Sequence, residues 1–346
     1  MRLRLLGSLV GLAALLAVPA AAAPRSGQVT QGSYTEPGGV TRSYLLYTPA
    51  HLPKRAPLVM FLHGCNETAQ EAMQASHWNT EADRYGFAVV YPSQAIVTDG
   101  VAPVSDGNGL GCWNWFVPQD QERGGPEPAV LAGMARALAQ QLGSDVQRVY
   151  VEGVSAGADM SVILAASYPD VFAAAGSIAG CSYRTCTDET GALAYQQMGP
   201  RARVVPMLVE NGTADVLNPA PQSTDLVESW LGVDDLADDG APNGSVSRQP
   251  ATSSTSTDTG TPTPGGGDAC IHNNSFGCLG GALGLSAYPV TVQTYAVGSD
   301  PDSVELWLVH GMAHAHPDAP GDGPYTDPLG PDITAASWAF FSRHSL

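Results

Sequence analysis

The stretch VEGVSAGA, Val151 to Ala158, decides the fold. Its Gly-x-Ser-x-Gly core recurs by chance in many chains, so its flanks carry the information. The apolar run VQRVYVEG before Ser155 reads as a β-strand, and the small-residue run AGADMSVILAASYP after it reads as a helix. A serine held on a strand-turn-helix crossing has its hydroxyl raised above the carboxyl ends of the strands, where it can act as a nucleophile. Gly153 and Gly157 permit the tight crossing of the backbone, and the helix N-terminus favours negative charge developing beside Ser155. The competing reading is a turn serine flanked by glycines, with no chemistry.

Working outward, RSYLLYTP (42–49), APLVMFLHG (56–64) and FAVVYP (87–92) are apolar runs bounded by Pro and Gly, each expected to be a strand. HWNTEADRYG and residues 127–142 carry helical patterns. VFAAAGSIAG, RVVPMLVENG, VTVQTYAV and VELWLVHG supply further strands, and a last helix is expected near 332–343. Continuously apolar strands separated by helices predict a mostly parallel central sheet with helices on both faces. Asp234 to Gly267 breaks the rhythm with PATSSTSTDTGTPTPGGG and is expected to be a flexible Ser/Thr/Pro-rich insertion within a single domain of residues 24–346.

A serine hydroxyl needs a base, and a neutral imidazole is the best one available. In WLVHGMAHAHP, His310 closes an apolar strand, while His314 lies far enough beyond it to turn toward Ser155. His314 is the preferred base and His316 the rival. The imidazole in turn needs a carboxylate to fix its tautomer. Asp215 follows the strand VVPMLVENG at its carboxyl edge and is preferred, with Asp300 and Asp302 as alternatives in a variant topology. The order Ser155, Asp215, His314 is that of an α/β-hydrolase.

The oxyanion of an acyl-transfer reaction requires donors aimed at the charge as it forms. The backbone N–H of Ala156, directly after Ser155, is one candidate. The other is the N–H of Cys65, or of a near neighbour, in the loop after VMFLHG. The six cysteines suggest three disulfides in an oxidising compartment: Cys181 with Cys186, Cys270 with Cys278, and Cys65 with Cys112. The last would tie the donor loop to the GCWNWF segment. No CxxC pair or zinc-ligand cluster is present, so no metal or cofactor is expected. Trp113, Trp115 and Phe116, in a loop expected near the active edge, are candidate substrate contacts, although tryptophans of this kind also serve as core.

Taken in order, FLHGCNETA, GCWNWF, VYVEGVSAGADM, ASYPDVFAAAGSIAG, NGTAD and HGMAHAHP resemble the motifs of the secreted poly(3-hydroxybutyrate) depolymerase family of esterases, which includes feruloyl and acetylxylan esterases. The resemblance runs from about Arg42 to His316. It implies a serine esterase of the α/β-hydrolase fold with Ser155 as nucleophile, Asp215 as acid and His314 as base. The chain departs from the family pattern at Ala313, at His316 and at Asp318, where the family's usual motif is Gly-His-Ala-Trp-Pro-Gly. His316 is therefore expected in the substrate-facing wall beside the base. Ala158 stands where many relatives carry glycine.

Residues 1–23 place Arg2 and Arg4 before an apolar run from Leu5 to Val18 and a small-residue stretch ending at Ala23. That pattern predicts a secretory signal peptide and an extracellular protein without stable membrane anchoring. The formal net charge of −18 opposes a nucleic-acid partner. The expected partner is a polyester or an ester-bearing polysaccharide, and a monomer is expected. The rival functions are a peptidase of the same fold and a non-catalytic binding protein.

Overall fold

The computed structural model describes residues 27–95, 107–256, 287–317 and 326–346. Their centre is a ten-stranded sheet in the order β1-β2-β4-β3-β5-β6-β7-β10-β9-β8. The strands are β1 Gln28–Thr35, β2 Thr41–Thr48, β3 Leu58–Leu62, β4 Ala88–Pro92, β5 Val149–Val154, β6 Ala174–Ile178, β7 Met207–Gly212, β8 Thr252–Ser256, β9 Val290–Val297 and β10 Asp300–Val309. From β4 to β10 every pairing is parallel, and antiparallel strands close both edges. Together with its covering helices this is the α/β-hydrolase fold, as the sequence led us to expect.

The central strands are buried along their whole length, which explains why they read as unbroken apolar runs. Alternate residues serve two cores. Met60, Val151, Met207 and Val209 face α3 (Pro126–Leu142), α4 (Ala156–Ser167) and a helix at Ala220–Asp239. Val59, Phe61, Tyr150 and Leu208 face α1 (Ala69–Ala75), α2 (Trp78–Tyr85) and the last helix, Ile333–Phe341. On that second face Trp78 stacks on Phe341, and Phe341 on Tyr150.

Among the elements not anticipated, three show why. β1 is mostly exposed, so it lacks the apolar signal of a buried strand. Helix α1 is short, and what defines it is a capping box: Glu71 N–H donates to the Thr68 hydroxyl, while the Glu71 carboxylate accepts from Thr68 N–H. The third is Ala220–Asp239, whose Leu226, Val227, Trp230, Leu231 and Val233 give it one buried face.

That helix also corrects the expected start of the insertion. Asp234 is fully buried and Asp234–Asp239 form the helix end; Thr252–Ser256 is then an edge strand paired with β9. A composition rich in Ser and Thr suits an exposed edge strand, where threonine hydroxyls meet across the ladder, as Thr252 and Thr255 do with Thr294 and Thr291. Residues 257–286, which hold Cys270 and Cys278, lie outside the described residues, as does the expected signal peptide.

Candidate active site

Four loops at the carboxyl edge of the sheet, after β3, β5, β7 and β10, converge on one pocket, lined by Gly64, Cys65, Asn66, Glu67, Val154, Ser155, Leu217 and His314. Ser155 joins β5 to α4 with φ 55° and ψ −123°, a backbone conformation that residues with a Cβ rarely adopt. Its N–H donates to the carbonyl of Ile178 at 2.9 Å, and its carbonyl accepts from Asp159 N–H at 3.1 Å, which fixes the turn on both sides. A Cβ on Gly157 would lie 2.2 Å from the carbonyl oxygen of Leu62, so only glycine lets α4 start this close to β3.

Asp215 and His314 come from the loops after β7 and β10, which pair in parallel as neighbours. The loops are joined directly. Thr213 N–H donates to the carbonyl of Val309, Ala214 N–H to that of Met312, and Gly311 N–H to the Thr213 hydroxyl. A Cβ on Gly212 would meet the Met312 carbonyl oxygen at 2.2 Å, so this contact too requires glycine. The result is a buried contact of 2.7 Å between His314 Nδ1 and Asp215 Oδ2. A carboxylate acceptor there requires the proton on Nδ1 and leaves Nε2 as the basic nitrogen. The other oxygen, Asp215 Oδ1, accepts from the N–H groups of Leu217 and Asn218 at 2.8 and 2.9 Å, so the carboxylate is fixed by its own turn.

The rival residues are engaged elsewhere. Asp300 lies 3.4 Å from His344, Asp302 2.8 Å from Arg343, and the His310 ring meets the Thr291 hydroxyl. His316 is buried with its ring edge against Phe61 and, apart from the backbone of Pro317, finds no hydrogen-bond partner among the described residues. Burial, aided by the charge of His77, lowers its pKa to about 3, so it is neutral at ordinary pH.

On the other side of Ser155, Cys65 is bonded to Cys112, and Cys181 to Cys186. Gly64 N–H donates to Glu67 Oε2 at 2.6 Å and Asn66 N–H to the carbonyl of Leu110 at 2.7 Å. The Cys65 N–H between them, and the N–H of Ala156 at the first position of α4, meet no acceptor among the described residues. The donor loop is also anchored from beneath. His63 Nε2 accepts from Gln94 N–H while Nδ1 meets the Gly64 carbonyl, and burial lowers the imidazole to about 4.

The aromatic segment plays a different part from the one expected. Trp113 is fully buried and packs against His63; Trp115 is partly buried against the core; Phe116 is exposed but does not line the pocket. The reason lies in Asn114, whose N–H and side-chain amide both donate to Glu127 at 2.7 and 2.9 Å, with Arg42 and Gln94 on the same carboxylate. That buried knot draws the whole segment inward. His316 likewise does not line the pocket, which corrects its expected place in the substrate wall. Asn66, Glu67 and Leu217, which do line it, were not singled out from the sequence. The available signal was their position, within two residues of Cys65 and of Asp215.

Among the described residues no cluster of His, Cys, Asp or Glu is built to hold a metal ion, and no helix is long and apolar enough to cross a membrane.

The family model described as Esterase PHB depolymerase matches residues 42–223. Poly(3-hydroxyalkanoate) depolymerase C of Paucimonas lemoignei is 33% identical over 293 residues, 84% of this chain and 61% of that protein. Acetylxylan esterase A of Emericella nidulans is 31% identical over 165 residues, 46% of this chain and 50% of the relative. The chain thus spans between half and about three fifths of these two proteins. Among solved structures, an acetyl xylan esterase from Aspergillus awamori superposes with a TM-score of 0.58 at 20% identity, covering 82% of this chain and 94% of its own. At that identity the likeness speaks for the fold.

Proposed function

The chain belongs to the Esterase PHB depolymerase family, and from that premise we propose that it is a secreted serine esterase acting on poly(3-hydroxybutyrate) or a related aliphatic polyester. The observation that carries the mechanism is the 2.7 Å contact between His314 Nδ1 and Asp215 Oδ2 in the pocket that also holds Ser155. In this reading, His314 Nε2 takes the Ser155 proton as Oγ attacks the ester carbonyl carbon. The carbonyl oxygen becomes an oxyanion that accepts hydrogen bonds from the N–H groups of Cys65 and Ala156. Its collapse breaks the ester C–O bond, and the leaving alkoxide takes the proton from His314. A water molecule, deprotonated by His314, then attacks the acyl-enzyme, frees the acid and restores Ser155. Asp215 holds the Nδ1 tautomer and stabilises the imidazolium formed twice in the cycle.

The preference for a polyester rests on the rim. Val216 and Leu217, directly after Asp215, are 68% and 53% exposed; across the pocket Leu110, whose carbonyl is bonded to Asn66, is 61% exposed. Single exposed apolar residues are ordinary, but large ones on both sides of a catalytic pocket favour an apolar substrate surface. An acetylated or feruloylated polysaccharide is the second reading, supported by the similarity to acetylxylan esterase A.

A serine-directed phosphonate is expected to label the protein once, at Ser155, and Ser155→Ala is expected to remain folded while losing about a thousandfold or more in turnover of p-nitrophenyl acetate. An adduct on another serine would refute the nucleophile. Product release measured in parallel on poly(3-hydroxybutyrate) film, acetylated xylan and feruloylated arabinoxylan tests the substrate. Release from a polysaccharide but not from film would move the assignment to the second reading.

A further inference from the structure

Catalysis as described leaves one ionisable group of the pocket unused. Glu67 lines it together with Ser155 and His314, yet is itself almost wholly buried. A buried carboxyl carries a desolvation cost unless its hydrogen bonds compensate, and pocket groups of this kind are candidates for function. Its Oε2 accepts the Gly64 N–H at 2.6 Å. A Cβ built on Gly64 would lie 3.1 Å from that same oxygen and 3.4 Å from the Cβ of Ser155, so carboxyl and nucleophile flank a single Cα. The next residue is Cys65. Two further ties hold this turn, the disulfide to Cys112 and the bond from Asn66 N–H to Leu110; at Gly64 itself, the residue preceding the donor, the His63 ring holds the carbonyl and Glu67 holds the N–H.

Resting on the serine-esterase reading above, we propose that Glu67 is a positioning residue for the oxyanion donors, holding the Gly64–Cys65 turn in place and doing so productively as an uncharged carboxyl. The carbonyl oxygen of a neutral carboxyl can accept the Gly64 N–H. An ionised carboxylate can accept it too, but adds a negative charge close to the one that develops on the substrate, which opposes formation of the oxyanion in a site of low dielectric.

The surroundings favour the neutral form to a useful pH. Burial raises the Glu67 pKa to about 7; the Gly64 N–H opposes this and the charge of Glu71 adds to it. The titratable groups facing Glu67 are Glu71 from α1, His63 at the end of β3, kept neutral by burial, and His314 across the pocket. Residues 107–112 bring none, and the elbow and the loop after β7 contribute Ser155 and Leu217. Raising the pH therefore turns Glu67 into an opposing charge.

The test is the pH profile of kcat and KM on p-nitrophenyl acetate for the parent, Glu67→Gln and Glu67→Ala, with active sites counted by phosphonate titration so that unfolded protein is excluded. Glu67→Ala removes the acceptor and is expected to lower kcat about ten- to a hundredfold at every pH with KM within about twofold. Binding of a boronic acid, a tetrahedral adduct mimic, should weaken by the same factor. Glu67→Gln keeps an oxygen acceptor without a charge, so it should match the parent near pH 6 and exceed it at least about threefold at pH 9. The inference is overturned if Glu67→Gln is as impaired as Glu67→Ala, if its profile superposes on that of the parent throughout, or if Glu67→Ala keeps the parental kcat. Ser155→Ala assayed alongside separates the two levels: an active Ser155→Ala protein refutes the reading of Ser155 as nucleophile on which the inference rests, whereas an inactive one leaves any of the other failures to Glu67 alone.

Discussion

The two flanks of Ser155 are built in opposite ways. On the donor side, the loop after β3 is held by a disulfide, by Asn66 bonded to Leu110, and by a buried knot in which Glu127 accepts from Asn114, Arg42 and Gln94. On the base side, the loop after β10 is held chiefly by the loop beside it, through Thr213, Ala214 and Asp215, and it continues into His316, which is buried with no side-chain hydrogen-bond partner among the described residues. The physical tasks differ accordingly. Oxyanion donors act through fixed geometry and gain from rigid support. A general base must turn over between neutral and charged forms, and what it needs is one well-placed carboxylate. Aromatic residues near the site are consequently scaffold on the donor side, while the polar and aliphatic residues next to Cys65 and Asp215 line the pocket.

The sharpest way to break this contrast is to exchange the roles of the two neighbouring histidines. His314→Ala is expected to lose about a thousandfold in kcat while remaining folded, since members of a triad fail together. His316→Ala is expected to keep kcat within a few-fold and to lose stability instead, because its ring packs on Phe61 and stays out of the pocket. Steady-state kinetics with circular dichroism on both variants decides between them. An inactive, folded His316→Ala protein would mean that the base side also relies on a buried support.

The donor side should show the complementary behaviour, with large effects on stability. Cys65 and Cys112 are 47 residues apart, and closing a loop of that length stabilises by about 4 kcal/mol in the chain-entropy account. Trp113→Ala removes a fully buried indole, at a cost of about 3–5 kcal/mol. Urea unfolding is expected to show losses of that order for Trp113→Ala and for the double Cys65→Ser, Cys112→Ser variant. A Trp113→Ala protein of parental stability, but with altered preference among esters, would return the tryptophan to the substrate site. Leu217→Ala provides the smaller, opposite case. Half exposed and lining the pocket, it should raise KM a few-fold for longer acyl esters with little change in stability.

Much of this was legible in the sequence where a strong local constraint exists. Val151–Ala158 carried the elbow because tight backbone crossing demands glycine, and Asp215 and His314 could be paired as candidates because each follows a buried apolar strand. The extents of the central strands were readable for the same reason. What stayed hidden depends on contacts distant in sequence. Nothing near Trp113 announces that Glu127 will draw Asn114 inward, and the Ser/Thr-rich stretch at Thr252–Ser256 looks disordered until β9 is beside it. Glu67 reads as one more acidic residue in a chain with 33, and its burial arises from tertiary packing alone.

The smallest effect concerns acid stability and tests the base side again. In the folded protein His316 has a pKa of about 3, whereas an unfolded histidine titrates near 6.5. Below pH 6.5 the unfolded chain therefore binds a proton at this site that the folded chain does not, so stability falls as the pH is lowered from 6.5 toward 3. His63, at about 4, acts in the same direction on the donor side. Buried carboxyls with the opposite shift work against them: Glu152 and Asp159, both raised to about 7, hold protons that the unfolded chain has released, and lose that advantage as pH rises through 7. Because these contributions overlap, the parental curve alone cannot be resolved into sites, but His316→Phe isolates one. It replaces the imidazole by a ring that packs on Phe61 and does not titrate. Relative to the parent, its thermal midpoint should gain a few degrees more at pH 5 than at pH 8, where both folded and unfolded imidazoles are neutral. An equal change at the two pH values would mean that His316 titrates alike in both states, and therefore that the back of the base loop is wet in solution.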